Sequence, residues 1–374
     1  MLFSSIPGLQ NTKKKLSNSI RKHQVAHALL FSGNPGGAAL PMALAYASYL
    51  ICENKEQVDQ ACGKCSACHK MEKFVHPDVH FVFPVCGTKN FTGTDVVSKN
   101  YLNQWRAFLI KNPYADLEDW VNFFGGENKQ AQIYRQESRE IISALSLTPF
   151  EAEFKVMIIW LPELMNVSAA NSLLKIIEEP SGQTVFIFVS QQESHLLSTI
   201  LSRVQIVKIS SFNDEEIISQ LNKEFNIDKD KGRQVALMSD GNLNTARKLA
   251  QDQENDFHQF FSDWMRLCFK KSYGELVNWA EEYSQKSKTE QKQLLRYSLI
   301  MVRESLVVEH QHEEIMRVTN DELKFVEDFG RLLKIDQITL LAEEFDKAHY
   351  HLERNANAKI LFLDLSFTIA NTIN

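Results

Sequence analysis

Four of the six cysteines, Cys52, Cys62, Cys65 and Cys68, crowd into the stretch ICENKEQVDQACGKCSACHK. Two adjoining C-x-x-C steps let thiolates approach one ion from a tight turn, and Cys52 can close the set into a tetrahedral Cys₄ site. The turn is rich in Gly, Lys and Ser, a setting in which buried structural cysteines seldom bunch; four reduced structural thiols are the bland alternative. His69 is a rival fourth ligand. The expected ion is Zn²⁺. Four thiolates leave no open position for water, so such a metal would hold structure rather than do catalysis.

A second cluster lies upstream. HALLFSGNPGGAAL places Gly33, Gly36 and Gly37 between an apolar strand-like run and a helix-like run, the position and shape of a phosphate-cradling loop. Its chemistry is incomplete. In G-x-x-x-x-G-K-[ST] the Lys meets the β and γ phosphates and the hydroxyl holds Mg²⁺. Aligned from Gly33, this chain has Ala38 at the last glycine, Ala39 at the Lys and Leu40 at the hydroxyl. The next core strand, KVMIIWLPE, ends on Trp160 and Leu161 where Asp and Glu would anchor the metal and polarise water, with Glu163 the nearest acid. No ATP binding is expected.

Several elements must position these groups. Val156–Leu161 and Val185–Ser190 are continuous apolar runs, the pattern of strands covered on both faces of a parallel sheet. Between them Ala170, Leu173, Leu174 and Ile177 mark a helix capped by Asn166 or Ser168 and stopped by Pro180. Ala28–Gly33, VHFVFP and VQIVKI read as three further strands, and residues 6–27 open with a Lys-rich amphipathic helix. Residues 87–132 read as an insert whose Trp105, Phe108, Trp120, Phe123 and Phe124 serve packing rather than base stacking, since only scattered cations accompany them. Beyond the sheet, SFNDEEIISQLNKEF, KGRQVALMSDG and NLNTARKLAQ form three short helices, and the remainder is helical throughout.

A length of 374 residues calls for two or three domains. A net charge of −6 excludes a strongly basic nucleic-acid footprint, so contact with DNA must be local or shared with partners. No run approaches the roughly 18 apolar residues of a membrane span, and a cytoplasmic protein without a membrane partner is expected.

HALLFSGNPGG, the cysteine cluster followed by HPD, LSLTPFEAEFKVMII, MNVSAANSLLKIIEEP, TILSR and HYHLERNANAKILFLDL together resemble the clamp-loader branch of the AAA+ ATPases, and within it the subunits that keep the fold without ATP hydrolysis. The resemblance implies an α/β fold. Its first part is a P-loop-type parallel-sheet domain over residues 1–208, with an inserted zinc module at about 52–70 and the insert at about 87–132. A small helical lid over 209–254 and an all-α collar over 255–374 follow. It also implies an open ring of five shared with ATP-hydrolysing subunits and a delta subunit, acting on the sliding clamp and primed DNA. In that family the Arg of a Ser-Arg-Cys motif acts in trans on a neighbour's ATP. Here the motif is Ser202-Arg203-Val204, which makes Arg203 the catalytic candidate with Ser202 beside it. Asn244 stands where ATP-using relatives often carry a nucleotide-sensing Arg. The chain itself is expected to lack ATPase and polymerase activity. The rival readings are a P-loop ATPase with atypical motifs and a zinc-dependent nucleic-acid-binding protein.

Overall fold

The computed structural model describes residues 1–55, 59–126, 129–251, 257–309, 317–318 and 320–373. Residues 56–58 of the expected zinc module, 127–128 of the insert, 252–254 of the expected lid, and 255–256, 310–316, 319 and 374 of the expected collar lie outside the described residues. The chain forms two compact units, one of residues 1–217 with 241–245, the other of 218–240 with 246–374.

The first unit is built on β1 (Ala28–Ser32), β2 (Val79–Val82), β3 (Lys155–Trp160), β4 (Thr184–Ser190) and β5 (Gln205–Lys208), in spatial order β2-β3-β4-β1-β5. Every pairing is parallel. All residues of β3 and β4 are buried, which is why residues 156–160 and 185–189 run apolar without alternation, with polar Lys155, Thr184 and Ser190 only at the strand ends. The first unit also holds α1 (Gln10–Arg21), α2 (Ala39–Leu50), α3 (Ser66–Glu72), α4 (Leu102–Lys111), α5 (Leu117–Phe123), α6 (Arg135–Ser146), α7 (Val167–Glu178) and α8 (Ser198–Leu201), of which α2 packs on β1, β3 and β4 while α1 and α3 pack on α2. Ala170, Leu173 and Ile177 of α7 join Ile141 and Leu145 of α6 and Phe186 and Phe188 of β4 in one core cluster. The α7 cap is Asn166, whose side chain accepts from the Ser168 N–H, and the helix ends at Glu178, ahead of Pro180.

The aromatics of the insert form an internal cluster. Trp105 stacks on Phe83 at 4.3 Å between ring centroids, lies edge-on to Trp120 at 5.0 Å and reaches Trp160 at the end of β3, also at 5.0 Å. Trp105 and Trp120 are fully buried.

Past β5 come α9 (Asp214–Phe225), α10 (Lys229–Ser239) and α11 (Leu243–Gln251). Of these, α10 lies in the second unit while α9 and α11 begin in the first, and the second unit goes on with α12 (Phe257–Phe269), α13 (Tyr273–Ser284), α14 (Lys288–Glu309), α15 (Asn320–Leu332), α16 (Ile335–Glu353) and α17 (Ala358–Ile373). Here α14 packs on α15 and α16, and α17 on α13 and α16. Trp264 anchors the bundle, stacked on Trp279 at 4.5 Å with its Nε1–H donated to Ser366 Oγ at 2.8 Å. Among the described residues, no helix is long and apolar enough to cross a membrane.

Candidate functional site

The glycine-rich turn sits at the C-terminal ends of the parallel strands, where open α/β sheets present their ligand crevice. Gly33 N–H donates to Ser190 O at 3.2 Å and Gly37 N–H to Asn34 O at 3.1 Å, closing the loop against β4 before α2 begins at Ala39. Gly36 has φ +67°, and a Cβ there would fall 1.9 Å from Asn242 Oδ1, so both backbone and space demand glycine.

The crevice is filled. Asn34, Gly36, Gly37, Ala39 and Leu40 form one wall, Trp160, Val189 and Gln191 the strand ends, and Pro113, Tyr114 and Ala115 of the insert the remainder, leaving about 10 Å³. That holds roughly one water, against the several hundred Å³ typical of ligand sites. Glu163, the nearest acid to the strand end, is turned to structural work: its Oε1 accepts the N–H groups of Gln191 at 2.9 Å and Gln192 at 3.2 Å. Burial raises its pKa, and those N–H bonds only partly offset the rise.

Asn244 is 1% exposed and engaged at both ends of its amide. Its Oδ1 accepts from Asn112 Nδ2 at 2.7 Å, and its Nδ2 donates to Asp119 Oδ2 at 2.6 Å and Asp116 Oδ2 at 3.3 Å. Asp116 and Asp119 are already a reciprocal cap at the start of α5. Nothing local in the sequence pointed to the roles of Asn112, Tyr114 and Asp119 here, because the partners that draw them to the crevice, Asn244 and Phe212, are about 100 residues or more away.

The four cysteines come together. Their Sγ atoms all lie within 4.8 Å of one another, with Cys62 and Cys68 3.9 Å apart. A tetrahedral Zn²⁺ with Zn–S near 2.3 Å requires sulfurs about 3.8 Å apart, so the geometry fits the ion. Backbone N–H groups already point at the sulfurs: Cys62 N–H to Cys52 at 3.3 Å, Cys65 N–H to Cys62 at 3.4 Å and Cys68 N–H to Cys65 at 3.4 Å. Burial pushes the Cys62 thiol up, but the Lys64 N–H, the Asn54 amide and Cys65 outweigh it and bring the pKa down to about 6. Burial and neighbouring cysteines push Cys52 and Cys68 up. Four thiolates this close would repel one another, and a bound cation would offset that charge. His69 lies outside the group, exposed and 3.8 Å from Glu72.

The HPD that follows has a role the spacing did not reveal. Asp78 accepts three backbone N–H groups, from Phe150 at 2.5 Å, Glu151 at 2.9 Å and Ala152 at 2.8 Å. Burial alone would raise its pKa, but those three bonds and His76 carry it below the usual carboxylate value. Buried His76 Nε2 sits 3.2 Å from Glu151, which also pairs with Lys70 of α3 at 2.5 Å. The cysteine turn is thereby tied to the segment entering β3.

Arg203 follows α8 and is less exposed than its sequence context suggests, its side chain being 29% accessible. Glu178 at the end of α7 accounts for this, with its Oε1 2.6 Å from both Arg203 Nε and NH2. The remaining guanidinium nitrogen donates to Thr199 O at 2.8 Å and to Ser202 Oγ at 3.1 Å. Glu178 was visible only as part of the helix end.

Residues 8–213, just over half the chain, match the family described as DNA polymerase III, delta subunit. The chain belongs to that family. Among its relatives, the DNA polymerase III subunit delta' of Bacillus subtilis is 28% identical over 243 residues, covering 65% of this chain and 58% of the relative. The corresponding subunit of Escherichia coli K12 is 26% identical over 248 residues, covering 66% of this chain and 60% of the relative. The match to B. subtilis subunit tau, at 24% identity, covers 66% of this chain but 37% of that protein. The chain thus spans under two thirds of the length of each of these three relatives. Two solved structures are more distant in sequence. The B. subtilis DNA clamp loader delta protein is 12% identical with a TM-score of 0.33, covering 96% of this chain and 99% of that one. The Thermotoga maritima RuvB Holliday junction branch migration motor is 15% identical with a TM-score of 0.39, covering 67% and 63%.

Proposed function

We propose that this family member is the non-hydrolysing, delta-prime-type stator of a clamp loader. It would stand in an open ring of five with ATP-hydrolysing subunits and a delta subunit, and lend Arg203 in trans to a neighbour's ATP. Through that ring it would help place a sliding clamp on primed DNA. Residues 1–208, 209–254 and 255–374 would serve as AAA+ core, lid and collar, and Cys52, Cys62, Cys65 and Cys68 would hold a structural Zn²⁺.

The observation that carries the reading is the closed crevice at the glycine-rich turn. With about 10 Å³ left between the loop, Trp160 and the insert, and with Ala39 and Leu40 at the phosphate and Mg²⁺ positions, the chain has neither room nor charge for a triphosphate of its own. Its contribution to hydrolysis would then be what it presents to a neighbour. Arg203 suits that role because its pair with Glu178 is partly solvated on both sides, 29% and 48% exposed, and such pairs are worth about 0–1 kcal/mol. Releasing the guanidinium to a developing phosphoryl charge is correspondingly cheap, and the planar fork matches phosphate geometry in a way that Lys does not.

The test is steady-state ATPase and clamp loading by the reconstituted assembly carrying Arg203→Ala, alongside calorimetric titration of the isolated chain with Mg-ATP. Loss of a trans arginine costs on the order of 10³ to 10⁵ in rate at the site it serves. Total turnover should fall by less, since the other sites keep their own arginines. Normal assembly with both activities unchanged, or tight Mg-ATP binding by the isolated chain, overturns the proposal.

A further inference from the structure

We infer that residues 112–119 of the insert are a built-in occupant of the ligand crevice, which bridges the glycine-rich loop to the turn at 241–245 and holds both in place without a bound ligand. The inference does not depend on the stator assignment.

Three independent features support it. The first is occupancy. Pro113, Tyr114 and Ala115 lie against Gly36, Gly37 and Leu40 at the mouth of a parallel sheet, where α/β folds otherwise receive a ligand. Tyr114 is 4% exposed, and its ring lies 6.0 Å from that of Phe212 beyond β5, so it spans the crevice rather than resting on its rim.

The second is polar satisfaction. Asn112 shapes its own turn by accepting the Tyr114 N–H at Oδ1 (3.1 Å) while its Nδ2 donates to Asn244. Asn244 returns a bond to Asp119 at the start of α5, so both limbs of the occupant, before and after Tyr114, hold the same buried amide. A buried amide paired in this way is far costlier to disturb than a solvated one.

The third is the bridge itself. Gly36 O accepts the N–H of Leu243 at 3.1 Å and lies 3.4 Å from that of Asn244, and Asn242 packs where any Gly36 side chain would be. The 241–245 turn is therefore fastened on one side to the glycine-rich loop and on the other to the insert. Loop, occupant and turn make one closed circuit within the first unit.

The consequence is coupled local stability. Opening any one of the three segments should open the others, whereas an insert that merely covers the surface would fray alone. The experiment is amide hydrogen exchange on the full-length chain, comparing wild type with Tyr114→Ala and, as a milder change that keeps the aromatic filling, Asn112→Ala. Both should speed exchange at 33–40 and at 241–245 on the order of tenfold or more, with β3 and β4 unchanged. Should Tyr114→Ala fail to fold, Asn112→Ala decides alone. Faster exchange confined to 112–119, with 33–40 and 241–245 as in wild type, overturns the inference. So does uniformly faster exchange across the whole first unit, which would mark general destabilisation.

Discussion

Glu137 on α6 offers the sharpest physical test of how the insert is fastened. It is 2% exposed, and its Oε2 accepts the Ser98 N–H at 2.9 Å where the insert enters α4. Ser98 in turn exchanges hydrogen bonds with Phe83 just beyond β2, both at 3.0 Å. Burial is the dominant influence on the carboxyl and Glu140 adds to it. The Ser98 bonds only partly compensate, and the pKa stands at about 7 against an ordinary 4.5. The folded state therefore keeps a proton on Glu137 that the unfolded state gives up above about pH 4.5. The stabilisation is full below that value and is lost as pH rises to about 7. Two and a half pH units correspond to roughly 3 kcal/mol. Glu137→Gln keeps an acceptor for Ser98 and removes the proton. Urea unfolding of both proteins at pH 5, 6, 7 and 8 should give nearly equal stability at pH 5 and an advantage for the variant that grows to roughly 2–3 kcal/mol at pH 8. A difference between the two that does not change with pH refutes the reasoning, because the carboxyl would then have the same proton affinity folded and unfolded.

Two further outcomes follow from the same unit. Protein purified without chelator should carry one Zn²⁺ per chain, and Cys65→Ser should release it and destabilise mainly residues 52–70; metal analysis and thiol titration check this, and four freely titrating thiols in native, metal-free protein count against it. Asp78→Ala should cost on the order of 3 kcal/mol in thermal or urea unfolding, since three N–H groups lose a charged acceptor. The lowered pKa of Asp78 means its contribution is present above the ordinary carboxylate pKa and vanishes as pH falls through the folded value, so the gap between wild type and variant should close in acid.

How much of this was legible beforehand depended on the range of the interaction. The strands at 156–161 and 185–190 were evident because a strand buried on both faces is apolar at nearly every interior position, without alternation. The structure starts each of them one residue earlier and ends the first at Trp160. The α7 stop, its cap as one of Asn166 or Ser168, and the paired C-x-x-C steps were likewise visible, since each is a statement about neighbouring residues; the structure selects Asn166 as the cap. The partner of Arg203 was not visible, because Glu178 closes over the guanidinium from another helix, 25 positions away.

The sequence by itself determined the apolar runs that become β3 and β4, which cysteines could bind metal, and that Ala39 and Leu40 follow the glycine-rich turn where the G-x-x-x-x-G-K-[ST] pattern has Lys and a hydroxyl. Tertiary structure alone decided what stands in their place. Asn112 meets Asn244 across 132 positions and Asp78 meets Glu151 across 73, and neither pairing follows from any periodicity of the chain. Such contacts are selected by the volume left between packed elements and by the need of each buried polar group for a partner. Those quantities exist only once the sheet, the insert and the 241–245 turn share one space.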